Sequence, residues 1–158
     1  MQQIELTKNK IILSVKKAPR AITITLISFA YISILIPLFG IILNVLMGNG
    51  LQIMFVFFVG ITGFIGLYLF RMSLWNSRGR EIITINKNEF TYTADYGWFK
   101  DTISNTKCEE LNLSCVPFGD PKEKTGILVI GDDINYKRSV VKIPIDQLEK
   151  LILDFPNL

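Results

Sequence analysis

Histidine is absent from this 158-residue chain, which removes the commonest general base and the commonest transition-metal ligand. Cysteine is scarce. Cys108 and Cys115 are the only two, and their spacing fits no common zinc pattern. In a reducing compartment they stay thiols and read as structural. Charge is missing where it matters most: from Ala21 to Phe70 there is no Asp, Glu, Lys or Arg. A proton relay or an ion-coupled carrier has nothing to work with in such a stretch.

What is present is apolar and concentrated. Hydrophobic residues make up 49% of the chain and the mean hydropathy is +0.36. Residues 21–47 form one apolar segment and residues 51–70 a second, joined by Gly48-Asn49-Gly50. As helices they would span roughly 40 Å and ~30 Å, enough to cross ~30 Å of hydrocarbon. Pro37 predicts a kink in the first. A secretory signal peptide has a shorter apolar core and a cleavage site, and is not followed at once by a second span. A buried helix pair in a water-soluble protein would show polar faces. The expected element is a transmembrane hairpin.

The cations give its orientation. Residues 1–20 hold five basic groups against one acidic, a local charge of +4, and Arg71 follows the second segment. Residues 72–158 hold 11 basic and 13 acidic groups, a charge of −2. Lys16, Lys17, Arg20, Arg71, Arg78 and Arg80 thus flank the two spans, while the connecting turn has no cation. The positive-inside rule places both termini in the cytoplasm. The same six cations are candidates for lipid headgroups, and Tyr68 and Trp75 are candidate interface aromatics. The soluble part carries no basic footprint for nucleic acid.

Small residues predict how the helices meet. Ala30, Ser33, Pro37, Gly40 and Asn44 recur at three- and four-residue steps, and Gly60, Gly63 and Gly66 do so on the second segment. Ser33, Pro37, Gly40, Gly60, Gly63 and Gly66 are therefore the expected contact set, where small side chains let backbones approach. A partner's helix would use the same groove.

From Glu81 the pattern turns to short strands broken by turn residues. Strands are expected over 81–85, 89–96, 101–108, 111–116, 127–130 and 136–143, with Phe90, Tyr92 and Ala94 alternating inward. Lys10–Lys17 reads as a further strand of the same sheet, so the hairpin is an insertion after a first strand. Leu148, Leu151, Ile152 and Phe155 share one face of a C-terminal helix that Pro156 stops. Trp98 and Phe99, at a turn tip, read first as aromatics folded back on the core and second as residues dipping into a bilayer interface.

One resemblance emerges from Ile11-Ile12-Leu13-Ser14-Val15-Lys16-Lys17 before the first span, Leu74-Trp75-Asn76 after the second, and Gly79-Arg80-Glu81-Ile82 leading into the sheet. With the C-terminal helix, the chain resembles small bacterial two-span membrane proteins with a cytoplasmic pleckstrin-homology-like domain. The resemblance implies a membrane α + β fold: a small antiparallel β barrel or sandwich with a C-terminal helix. The expected divisions are residues 1–20, 21–70 and 71–158. No catalytic residues come with it.

Chemistry finds little support elsewhere. Asp132-Asp133 follows Gly131, where acidic turn residues are ordinary, and Glu109-Glu110 would point to opposite faces of a strand. No glycine-rich phosphate loop occurs. The sequence therefore predicts a non-enzymatic protein with no cofactor, no metal and no evident small-molecule substrate. Its partners would be the lipid bilayer and a membrane protein complex that it assists or regulates. Anionic-lipid sensing is the alternative, and toxin immunity at the membrane a third.

Overall fold

The computed structural model describes residues 2–50, 52–87 and 89–155, apart from the side chains of Ile103 and Pro121. Leu51 as a span start and Pro156 as a helix stop lie outside the described residues. The chain divides into two compact units, Ala18–Ser77 and Met1–Lys17 with Arg78–Leu158.

The first unit is a helical hairpin. Helix α1 runs Arg20–Leu46 and α2 runs Ile53–Arg78, both long and apolar enough to cross a membrane, with mean hydropathies of 2.5 and 2.3. In their most apolar stretches, 11% and 6% of residues are buried, the opposite of a core helix in a soluble protein. Helix α2 continues about two turns past Phe70. The first charge marks the end of the apolar stretch, not of the hydrogen-bond ladder.

Polar groups in this hairpin are satisfied locally. Ser33 donates to the Phe29 carbonyl at 2.7 Å and Thr62 to the Phe58 carbonyl at 2.8 Å, the bonds such hydroxyls would need in an apolar medium. Asn44, near the end of α1, holds the following turn: its Nδ2 donates to the Gly50 carbonyl at 3.1 Å, and its Oδ1 accepts from Asn49 at 3.2 Å. At the opposite end, Ala18 N–H donates to the Asn76 carbonyl at 3.0 Å and the Ser73 hydroxyl to the Thr23 carbonyl at 3.3 Å.

The second unit is built of two open antiparallel sheets and a helix. The first sheet orders β1 (Ile4–Thr7), β2 (Lys10–Ser14), β3 (Arg80–Asn86), β4 (Glu89–Asp95) and β5 (Lys100–Lys107) in sequence. The helical hairpin is inserted between its second and third strands. In the second sheet, β7 (Thr125–Gly131) pairs with β6 (Asn112–Pro117) on one side and with β8 (Tyr136–Arg138) and β9 (Ile143–Pro144) on the other. Helix α3, Ile145–Asp154, packs on β6, β7 and β9. Among the described residues β1 and β5 are not paired with each other, so the five-stranded sheet is open.

Alternation puts Ile11, Leu13, Ile83, Phe90, Tyr92 and Ala94 on the buried face of the first sheet. Leu128, Ile130, Ile143, Leu148 and Leu151 are buried in the second sheet and α3. Two expectations needed revision. Ile4–Thr7 is an unforeseen edge strand. The single strand expected over 136–143 is two, because Ser139 breaks it: its hydroxyl accepts the Leu128 N–H at 2.9 Å and donates to the Val141 carbonyl at 3.2 Å.

Register fixes the two ends of the first sheet. Ser14 pairs with Arg80, Arg80 with Asp95 and Asp95 with Lys100, and Val15 N–H donates to the Gly79 carbonyl at 3.0 Å beyond them. The chain leaves and re-enters the sheet at this end. The opposite end carries the β1–β2 turn at Lys8-Asn9 and Lys87 of the β3–β4 turn, with φ +49°.

Candidate functional site

At the turn-bearing end of the first sheet lies a cleft of about 580 Å³. Lys8, Lys10 and Lys87 stand exposed along it, over an apolar lining that includes Ile85, Leu111 and Phe155. Asn9 and Asn86 contribute amides, and no acid is among the described lining residues. The cleft is held open by backbone: Ile85 N–H donates to the Asn9 carbonyl at 2.9 Å, locking the ends of β2 and β3 together. Such a surface suits a ligand with apolar bulk and negative charge, since the floor removes apolar area from water while three ammonium groups supply complementary field. A smaller cleft of about 170 Å³ separates β1 from α3, lined by Ile4, Leu6, Gln147 and Lys150 among others.

The expected headgroup cations fall into two groups. Lys16, Lys17, Arg78 and Arg80 are exposed and belong to the β unit, at the sheet end marked by Ser14 and Arg80. Arg20 and Arg71 are exposed residues of the helical unit. Tyr68 is exposed on α2, and Trp75 is half-buried near its end.

Of the four glycines among the expected helix contacts, Gly66 alone makes a close approach. A Cβ there would lie 2.8 Å from Ile34 Cγ1 and 3.0 Å from the Ala30 carbonyl oxygen. Pro37 is buried, and Ser33 and Gly40 are half-buried on the same face of α1. Gly60 is exposed, and a Cβ at Gly40, Gly60 or Gly63 would meet open space. Packing at these three positions therefore does not require glycine.

Glu81 was not singled out by sequence reasoning as a site. Its side chain lies on the inward face of β3, flanked in register by Leu13 and Ala94, and is 0% exposed. Oε1 accepts the Val140 N–H at 2.8 Å across to the second sheet, while Oε2 makes no hydrogen bond. The Tyr92 hydroxyl lies within hydrogen-bonding reach of the carboxyl. Burial pushes the Glu81 carboxyl above its ordinary value, against the opposing pull of Tyr92, the Val140 and Val141 amides and the Lys137 charge. Tyr92 is pushed up in turn, first by burial and then by Glu81, and its ring lies 5.5 Å from Lys137 Nζ. Neither of these two clefts is lined by Glu81; through the Val140 N–H its carboxyl ties β3 to the segment between β8 and β9.

Other candidates are accounted for by structure. Asp132 organises its turn, accepting from the Ile134 and Asn135 amides with one oxygen and from the Glu109 N–H at 3.1 Å with the other. Its carboxylate is held below the usual range by those bonds. Cys108 is buried and Cys115 half-buried; burial raises both thiols, away from the reactive thiolate. Trp98 is 70% exposed, not folded into the core, whereas Phe99 stacks on Tyr96 with ring centroids 4.6 Å apart.

The cleft had no sequence signal, because its residues come from four separated stretches of the chain. Compared with known proteins, the chain matches no family model, no curated protein sequence and no solved structure.

Proposed function

We propose that this protein is a membrane-anchored binding module that recruits an acidic, partly apolar segment of a partner protein. In this reading α1 and α2 cross the inner membrane of a bacterium, both termini lie in the cytoplasm, and the β unit presents the lysine-rimmed cleft. The observation that carries the proposal is the pairing of three lysines with an apolar floor at the sheet end opposite the one from which the chain leaves for the helices. Exposed ammonium groups beside an apolar lining favour an acidic, partly apolar peptide. The element order, a strand pair, a helical insertion, a meander, a second sheet and a closing helix, supports the pleckstrin-homology-like assignment as part of the proposal.

The test is charge reversal with a conservative control. Native membranes holding the wild-type chain, the K8E/K10E/K87E variant or the K8R/K10R/K87R variant are treated with a carboxylate–amine crosslinker, and adducts are identified by mass spectrometry. One partner crosslinked through its acids to the cleft should appear with wild type, disappear with the Glu variant and persist in pull-downs with the Arg variant. Identical recovery by wild type and the Glu variant sinks the reading. Reporter fusions at each terminus check orientation: a periplasmically active reporter at either end overturns it.

A further inference from the structure

We infer that the turn Tyr96-Gly97-Trp98-Phe99 is a bilayer contact, with the Trp98 indole seated at the water–lipid interface. The inference rests on reading α1 and α2 as membrane spans.

Three observations converge on it. The first is topological. The turn joins β4 to β5 at the sheet end where Ser14, Arg80, Asp95 and Lys100 lie side by side. Both connections to the helices start from that same end, through Lys17 and Arg78. A surface feature at this end is therefore tethered within a few residues of the spans.

The second is chemical. The turns at the other end of the sheet carry Lys8-Asn9 and Lys87, residues that suit water. This turn carries Gly-Trp-Phe, and its indole is 70% exposed. An indole has a broad apolar face and one N–H donor, the combination favoured where hydrocarbon gives way to headgroups. Arg78, Arg80 and Lys100 stand close by in sequence register, with Asp95 drawn to Lys100 at 3.8 Å.

The third is that the presentation is rigid. Tyr96 N–H donates to the Phe99 carbonyl at 3.0 Å, and the Asp95 carboxylate accepts the Gly97 N–H at 2.8 Å. Phe99 is stacked on Tyr96. Gly97 takes φ +87°, and a Cβ there would meet the Arg78 stem at 3.1 Å. The turn is thus seated on Arg78, the last residue of α2. Two aromatics of the loop stack on each other while Trp98 stays 70% exposed.

The chain's two tryptophans, Trp75 and Trp98, make the test self-controlled. Full-length W75F, which keeps Trp98, and full-length W98F, which keeps Trp75, are reconstituted into vesicles of phosphatidylcholine and phosphatidylglycerol. The phosphatidylcholine is brominated near the carbonyl end of its acyl chains. Trp98 emission should shift to the blue and lose about half its intensity relative to unbrominated vesicles, as expected for an interfacial indole. Should W98F be quenched while W75F is not, the inference is overturned and the spans stand. Quenching of neither overturns both. Should W75F fail to fold, W75Y serves in its place, and shielding of Trp98 from aqueous iodide on reconstitution gives a second reading of the same contact. Unchanged iodide access would overturn the inference.

Discussion

A carboxyl buried between two sheets, its charged form disfavoured by the loss of water, makes stability depend on pH. Below the ordinary carboxylate value of 4.5, Glu81 is protonated in folded and unfolded chains alike. As pH rises the unfolded chain releases its proton first, because the folded value is raised; stability therefore falls until the folded group also ionises, then levels off. The thermal midpoint of the full chain in detergent should decline from pH 4.5 upward, and Glu81→Gln should flatten that decline. Equal slopes in both proteins would remove Glu81 from the account. At Gly66 the issue is space. Gly66→Val should destabilise the helix pair by about 1–3 kcal/mol through overpacking, while Gly60→Ala, facing open space, should leave the denaturation midpoint nearly unmoved; comparable losses at both would contradict the contact geometry. Neither position was distinguishable in the sequence. A Glu opening a strand reads as solvent-facing, and three glycines at helical spacing look equivalent until one meets Ile34 and Ala30.

At the level of elements, period-two alternation was enough to find β3 and β4, whose buried Phe90, Tyr92 and Ala94 face one way. It failed where the ladder is short or interrupted. Strand β1 has only four residues with one buried, too few to establish a period. The 136–143 run is continuous in composition, yet the Ser139 hydroxyl supplants a backbone acceptor and sends the chain from β8 to β9. Ser139→Ala keeps the size and removes that acceptor, leaving the buried Leu128 N–H unsatisfied. The loss should be about 1–3 kcal/mol in chemical denaturation, and a loss within experimental error would mean another group takes over the bond. Helix α2 ran past its expected end for a related reason: hydropathy locates an environment, whereas helical hydrogen bonds continue into water.

For the whole molecule, charge and connectivity matter more than any one contact. The division of charge along the sequence, +4 before the spans and −2 after them, was legible at once and shaped the orientation proposal. The cleft was not legible, since only folding brings Lys8, Lys10 and Lys87 beside Leu111 and Phe155. Because its cations are exposed, partner binding should weaken steeply as ionic strength rises through the range where the Debye length drops from ~10 Å toward ~3 Å. Crosslinking yield across a salt series reports this, and a flat profile would argue that the apolar floor acts alone.

The placement of the helical insertion also sets an order of events during synthesis. Strands β1 and β2 leave the ribosome before the helices, but β2 finds its neighbour β3 only after the whole hydrophobic hairpin has been translated. Until then the nascent N-terminal pair is a two-stranded ribbon, marginal in water on its own. Completion of the sheet thus signals that the hairpin has been made, and a polypeptide whose spans stall leaves its first strands waiting and open to proteolysis. Deleting residues 1–14 should leave insertion intact while exposing β3 as a raw edge prone to aggregation; a deletion product that stays unaggregated and protease-resistant in detergent would show that β1 and β2 are not needed to cover β3.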